Sequence, residues 1–124
     1  MTLAVWMVLA AALLPYACAI IAKAGDPGFD NAAPRTWLDR QSGYRQRADW
    51  AQRNHFEAFA PFAAGVILAQ VAGAPQGRID ALAVAFLVLR LGYTGAYLGN
   101  VGWLRSLLFA LGLACVVWLF SLPL

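Results

Sequence analysis

RADWAQRNHFEAF, residues 47–59, sets Arg47, Asp49, Gln52, Arg53, Asn54, His55 and Glu57 directly at the head of an apolar stretch that runs on from Phe56. Nothing between Tyr44 and Ala60 breaks a helix, so the polar residues and the apolar block are read as one long helix with a polar N-terminal end. At about 100° per residue, Arg47, Trp50, Asn54, Glu57 and Pro61 fall within an arc of about 80°. That polar stripe runs down into the apolar segment. A carboxylate at such a depth is expensive unless it is paired, and such residues usually face a bundle interior or a wet cavity, so Glu57 is expected to have a partner. Pro61 lacks an N–H and its ring crowds the carbonyl of Glu57, which predicts a freed carbonyl and a kink beside the carboxylate.

The remaining sequence says what medium surrounds this helix. Of 124 residues, 62% are hydrophobic and 12% charged, the balance of an integral membrane protein. Four apolar blocks cover residues 3–22, 56–74, 79–98 and 101–122. Each approaches the roughly 20 residues a helix needs to cross a bilayer, and in lipid only helices satisfy the backbone within one segment. The expectation is one all-α domain over 1–124, with a loop at 23–43 and a helical extension at 44–55 ahead of the second span. Residues 25–37, GDPGFDNAAPRTW, read as irregular and turn-forming. The first block has no Lys or Arg ahead of it and is expected to stay as a span rather than act as a signal peptide. Pro15, Tyr16 and Ala17 do not suit a lipoprotein site at Cys18.

Charge sets the orientation. Lys23, Arg35, Arg40, Arg45, Arg47 and Arg53 lie between the first two spans, Arg105 falls on the same side, and the opposite side offers only Arg78. The positive-inside rule then places the first loop in the cytoplasm and both termini outside. Anionic headgroups account for the net charge of +3 without a nucleic acid partner.

The third block carries a matching stripe. Arg90, Tyr93 and Tyr97 lie at i, i+3 and i+7, and Arg90 sits too deep to reach water easily. It needs an anion, for which Glu57 and a ligand carboxylate are the two candidates; an Arg90–Glu57 pair would simply hold the bundle together. Tyr97, Trp50 and Trp103 also suit the membrane interface, as does Arg105 at the head of the fourth block. His55 is the only histidine and lies off the stripe, toward another helix or the headgroups. With no second ligand at suitable spacing there is no metal or haem motif, and Cys18 and Cys115 read as packing residues. No phosphate loop or nucleophile elbow is present in the sequence.

The series Arg47-Ala48, Ala51-Gln52, Asn54, Glu57-Ala58 and Pro61-Phe62, followed by Arg90, Tyr93, Tyr97 and the pair Arg105-Ser106, resembles the signature of the MAPEG family. These are the membrane-associated proteins in eicosanoid and glutathione metabolism, and the likeness, of bacterial type, extends over nearly all the chain. It implies a homotrimer of four-helix-bundle subunits in a bacterial inner membrane, with glutathione held as thiol co-substrate in clefts between neighbours. Carried over, the resemblance gives Gln52, Asn54 and Glu57 to the polar groups of glutathione, joined by Arg90, Tyr93 and Tyr97. Arg105 is the counterpart of the arginine that stabilises the thiolate. A guanidinium lowers a thiol pKa, so the implied chemistry is attack by that thiolate on a lipophilic electrophile, as a transferase or peroxidase. Two departures stand out. Trp50 occupies the place where glutathione-using relatives carry an arginine, with Arg47 or Arg53 as substitutes, and the step from Tyr97 to Arg105 differs slightly from the family pattern.

Two other readings come from different classes. A catalytically silent, lipid-binding or scaffolding member would fit the loss of an arginine at position 50. A small four-span exporter would carry its membrane glutamate in the first span, and here that span is uncharged.

Overall fold

Thr2 opens the first helix: its Oγ1 accepts from the Val5 N–H at 3.3 Å and donates to Gln70 Oε1 at 2.9 Å. In the computed structural model, which describes residues 1–123, the elements are α1 (Leu3–Lys23), α2 (Pro34–Asp39), α3 (Gly43–Val71), α4 (Gln76–Leu98) and α5 (Gly102–Ser121). No strand occurs among the described residues. Asp80 Oδ1 accepts from the Ala4 N–H at 2.9 Å and from Gln76 Nε2 at 2.8 Å. A carboxylate on the unsatisfied amides of α1 complements its dipole, so Thr2, Gln70, Gln76 and Asp80 bind the start of α1 to the end of α3 and the start of α4.

The turns between the long helices have local causes. After α3, Gly73 takes a φ of +74° and the Ala74 N–H reaches back to Ala69 O at 3.0 Å; after α4, Asn100 takes a φ of +58° and the Val101 N–H reaches Ala96 O at 2.9 Å. Both are left-handed caps that satisfy a terminal carbonyl and turn the chain at once, and glycine and asparagine are the residues that adopt them most cheaply. At the end of the molecule where Asn100 lies, arginines do the same work. Arg45 Nη1 donates to Ala22 O at 3.0 Å, and Arg47 donates to Leu98 O through Nε at 3.3 Å and Nη2 at 3.1 Å. Part of the basic cluster is therefore used on the C-terminal carbonyls of α1 and α4.

The segment read as irregular departs from that expectation over its last residues. Pro34 stands at the first position of α2, where its fixed φ favours a helix and its missing N–H is not needed. The short helix is held down by Leu38, which packs with Ala22 and Ala48. α3 runs unbroken from Gly43 to Val71 through Pro61.

α1 packs on α3 and α4, and α5 packs on α4 and α3. The core contains Ala4, Ala11, Phe62, Val66, Ile79, Ala83, Phe86 and Leu119, with Phe62 and Phe86 stacked at 4.0 Å between ring centroids. Leu13, Ile20, Val117 and Trp118 point outward with more than half of their surface exposed. α1, α4 and α5 are each long and apolar enough to cross a membrane. An outer surface of this kind belongs against lipid, and the molecule is an integral membrane protein in contact with the bilayer. α3 is not among those three helices, because Asn54, His55, Glu57 and Gln70 interrupt its apolar half.

Candidate functional site

Arg90 is 2% exposed, and no carboxylate of the described residues lies within ion-pair distance of it. Its Nη2 donates to Asn54 Oδ1 at 2.7 Å and approaches His55 Nδ1 at 2.8 Å, while its Nε donates to the same Nδ1 at 3.1 Å. The guanidinium also lies over the Tyr93 ring, 4.1 Å from the centroid. The Arg90–Glu57 pair that the sequence left open is thus not formed within the chain. Asn54 and His55 occupy the guanidinium instead. His55, 3% exposed, faces α4 rather than headgroups, and its Nε2 sits 2.8 Å from Thr94 Oγ1.

Arg90 forms one wall of a cleft of about 170 Å³ that is also lined by Asn54, Glu57, Ala58, Pro61, Phe109, Leu113 and Val116. α3 supplies the polar side and Pro61; α5 supplies the apolar side. Glu57 stands at the exposed margin, opposite the buried cation. From Arg90 an aromatic ladder climbs toward the basic end: Tyr93 meets Tyr97 edge-on at 5.5 Å, and the Arg105 guanidinium lies over Tyr97 at 4.7 Å from its centroid. Trp50 covers the same tyrosine from α3, tilted at 6.4 Å.

Of the residues singled out from the sequence, Asn54, Glu57 and Arg90 line one cleft, and Tyr93, Tyr97 and Arg105 continue from it as a contiguous ladder. Arg47 is on the α4 side but is engaged with the Leu98 carbonyl. Gln52 lies elsewhere. Two residues before Asn54, and so about 200° round the helix, it lines a separate groove with Lys23, Arg35, Asp49 and Arg53. Its Oε1 is buried there without a hydrogen-bond donor. Arg53 in that groove pairs with Asp49 at 3.0 Å and Asp39 at 3.1 Å, and these carboxylates, Asp49 foremost, hold its guanidinium above the ordinary value. Sequence reasoning missed His55 and Thr94 as parts of the Arg90 environment. The one available signal was the Arg90-to-Thr94 spacing of one helical turn.

A buried cation, a polar stripe on α3 and an apolar wall from α5 define a membrane protein with an amphipathic cleft. A family model described as the MAPEG family matches residues 3–124, essentially the whole chain, and the chain belongs to that family. It is thereby a membrane protein of the eicosanoid and glutathione metabolism family. No match was found among curated proteins or among solved structures.

Proposed function

We propose that the protein is a glutathione-dependent enzyme of the membrane, a transferase or peroxidase acting on lipophilic electrophiles. The observation that carries this reading is Arg90: a buried cation without a counter-ion, facing a cleft that also holds Asn54 and Glu57. Such a group is stable in company with an anion, and glutathione brings carboxylates and a thiolate. Glu57 would take the tripeptide ammonium, Asn54 and Arg90 its carboxylate end, and Arg105, stacked on Tyr97, the sulfur. A guanidinium there favours the thiolate over the thiol. In the transferase reaction the sulfur lone pair forms a bond to the electrophilic carbon, and the leaving group departs with the bonding electrons. Phe109, Leu113 and Val116 form the wall along which an apolar substrate arrives from the bilayer.

The active form in this reading is a homotrimer of four-span subunits, α3 included, with the basic end cytoplasmic in a bacterial inner membrane. Two features support the shared site. At about 170 Å³ the cleft is smaller than the roughly 300 Å³ at which small-molecule pockets begin, so it takes one end of a tripeptide. Gln52, the other α3 residue assigned to glutathione, faces away from it into the groove beside Lys23 and Arg35, so a ligand that meets both residues would have to lie between two copies.

Trp50 favours a second reading, a silent member that retains the fold and binds no thiol, since an exposed indole stands where a clamp for a carboxylate is expected. Titration of the detergent-purified protein with glutathione separates the two. A thiolate absorbance band that Arg105→Ala abolishes and Glu57→Gln weakens is the expected result. A wild-type protein that neither binds glutathione nor shows the band is the silent scaffold.

A further inference from the structure

The Arg90 neighbourhood admits a single arrangement of protons. A guanidinium only donates, so His55 Nδ1, 2.8 Å from Nη2 and 3.1 Å from Nε, must be an acceptor and carries no proton. The imidazole proton therefore sits on Nε2, which donates to Thr94 Oγ1 at 2.8 Å. The Thr94 hydroxyl in turn donates to the backbone carbonyl of Arg90 at 2.9 Å. The loop closes on the residue where it began: guanidinium to imidazole to hydroxyl to the carbonyl of the same arginine. Along this circuit each donor used meets an acceptor, and the imidazole is neutral in the one tautomer that fits.

This arrangement solves a specific problem. A buried arginine is ordinarily held by a carboxylate, which fixes it and cancels its charge. Asn54 and His55 fix it with neutral acceptors on one edge. Nη1 makes no hydrogen bond within the described residues, and Arg90 lines the cleft. The positive charge stays uncancelled for whatever enters.

We infer that His55, locked by Thr94, is a positioning residue that holds the Arg90 guanidinium toward the cleft with its charge available to an anionic group of the ligand. The inference rests on the proposed function for the identity of that ligand, glutathione, and adds the device that keeps the site cationic. A structural role alone would require only that Arg90 be satisfied, which a carboxylate at position 55 would do at least as well. The two roles therefore part company in His55→Glu.

Because His55 is the only histidine in the chain, nitrogen-15 labelling of histidine reports on this ring alone. A protonated Nε2 with an acceptor-type Nδ1 in the wild-type protein is expected, and the reverse tautomer would overturn the inference. Glutathione binding is then compared by calorimetry in detergent. His55→Glu is expected to keep the thermal midpoint and lose about tenfold or more in affinity, since its carboxylate replaces the ligand as partner of Arg90. His55→Gln, which retains a neutral acceptor, is expected to stay within about threefold of wild type. Wild-type affinity in a folded His55→Glu protein would overturn this inference alone. A wild-type protein silent to glutathione would overturn the proposed function as well, by leaving Arg90 without its anion.

Discussion

A guanidinium taken out of water needs its hydration replaced, and at Arg90 two neutral acceptors and the face of Tyr93 do so in place of a carboxylate. Two opposing effects follow from removing the charge. Arg90→Met relieves a buried cation, a gain of about 1–4 kcal/mol when the replacement packs well, but it leaves Asn54 Oδ1 and His55 Nδ1 without donors at about 1–3 kcal/mol each. At mid-range these effects leave a net destabilisation of about 1–2 kcal/mol, while glutathione binding is expected to disappear. His55→Leu alone strands the donors of Arg90 and should destabilise more, yet in the double variant the stranded groups go together. Thermal or denaturant unfolding of the four proteins should give a coupling energy of about 1 kcal/mol or more; additive effects would mean that the two side chains do not depend on each other. Helical spacing alone grouped Asn54 with Glu57 on one face and marked Arg90 on another, because a period of 3.6 residues fixes angles within one helix, and all three border the cleft. It does not fix how α3 is rotated against α4. That rotation, set by packing such as Phe62 on Phe86, decides that His55 rather than Glu57 meets the arginine.

At the scale of the element, close approach of helices depends on where side chains are missing. A Cβ on Gly65 would lie 3.2 Å from Leu119 Cβ and 3.3 Å from the Phe120 ring, so α3 and α5 approach closely where position 65 is bare, and any side chain there would push on α5. A Cβ on Gly77 would meet nothing within 4 Å. Gly65→Ala is therefore expected to lower stability by about 1–3 kcal/mol through overpacking. Gly77→Ala should be neutral or raise stability by up to about 1 kcal/mol through helix propensity. Unfolding in detergent micelles reads both, and an equal response from the two variants would contradict the packing of α5 on α3. Apolar block length made the long helices legible, and turn residues marked their ends. The helix at Pro34–Asp39 was not legible, because a turn-rich composition masks the favourable start that Pro34 provides and the anchor that Leu38 finds only in the tertiary fold.

At the scale of the whole molecule, the α3 residues proposed to hold glutathione stand on opposite sides of the helix, which one chain cannot bring to one ligand. Asn54 and Glu57 open into the cleft with Arg90, whereas Gln52 opens into the groove beside Lys23 and Arg35. In the homotrimer proposed above, each site takes its cleft from one copy and Gln52 from the next. If these two surfaces meet at one boundary, a ring of identical, head-to-tail contacts would repeat that pairing at every boundary. The consequence is complementation. A chain with Gln52→Leu spoils the site it shares with one neighbour, and a chain with Glu57→Gln spoils the site it shares with the other. Neither alone should bind glutathione at wild-type strength. Co-expressed and recovered as mixed trimers, they should regain wild-type affinity at about one site in three, namely the boundary where an intact cleft faces an intact Gln52. Calorimetry of the tandem-purified mixed assembly measures that fraction, and native mass spectrometry gives its subunit number. Binding that stays at the level of the two parents, in assemblies verified as mixed, would show that each chain holds its ligand alone.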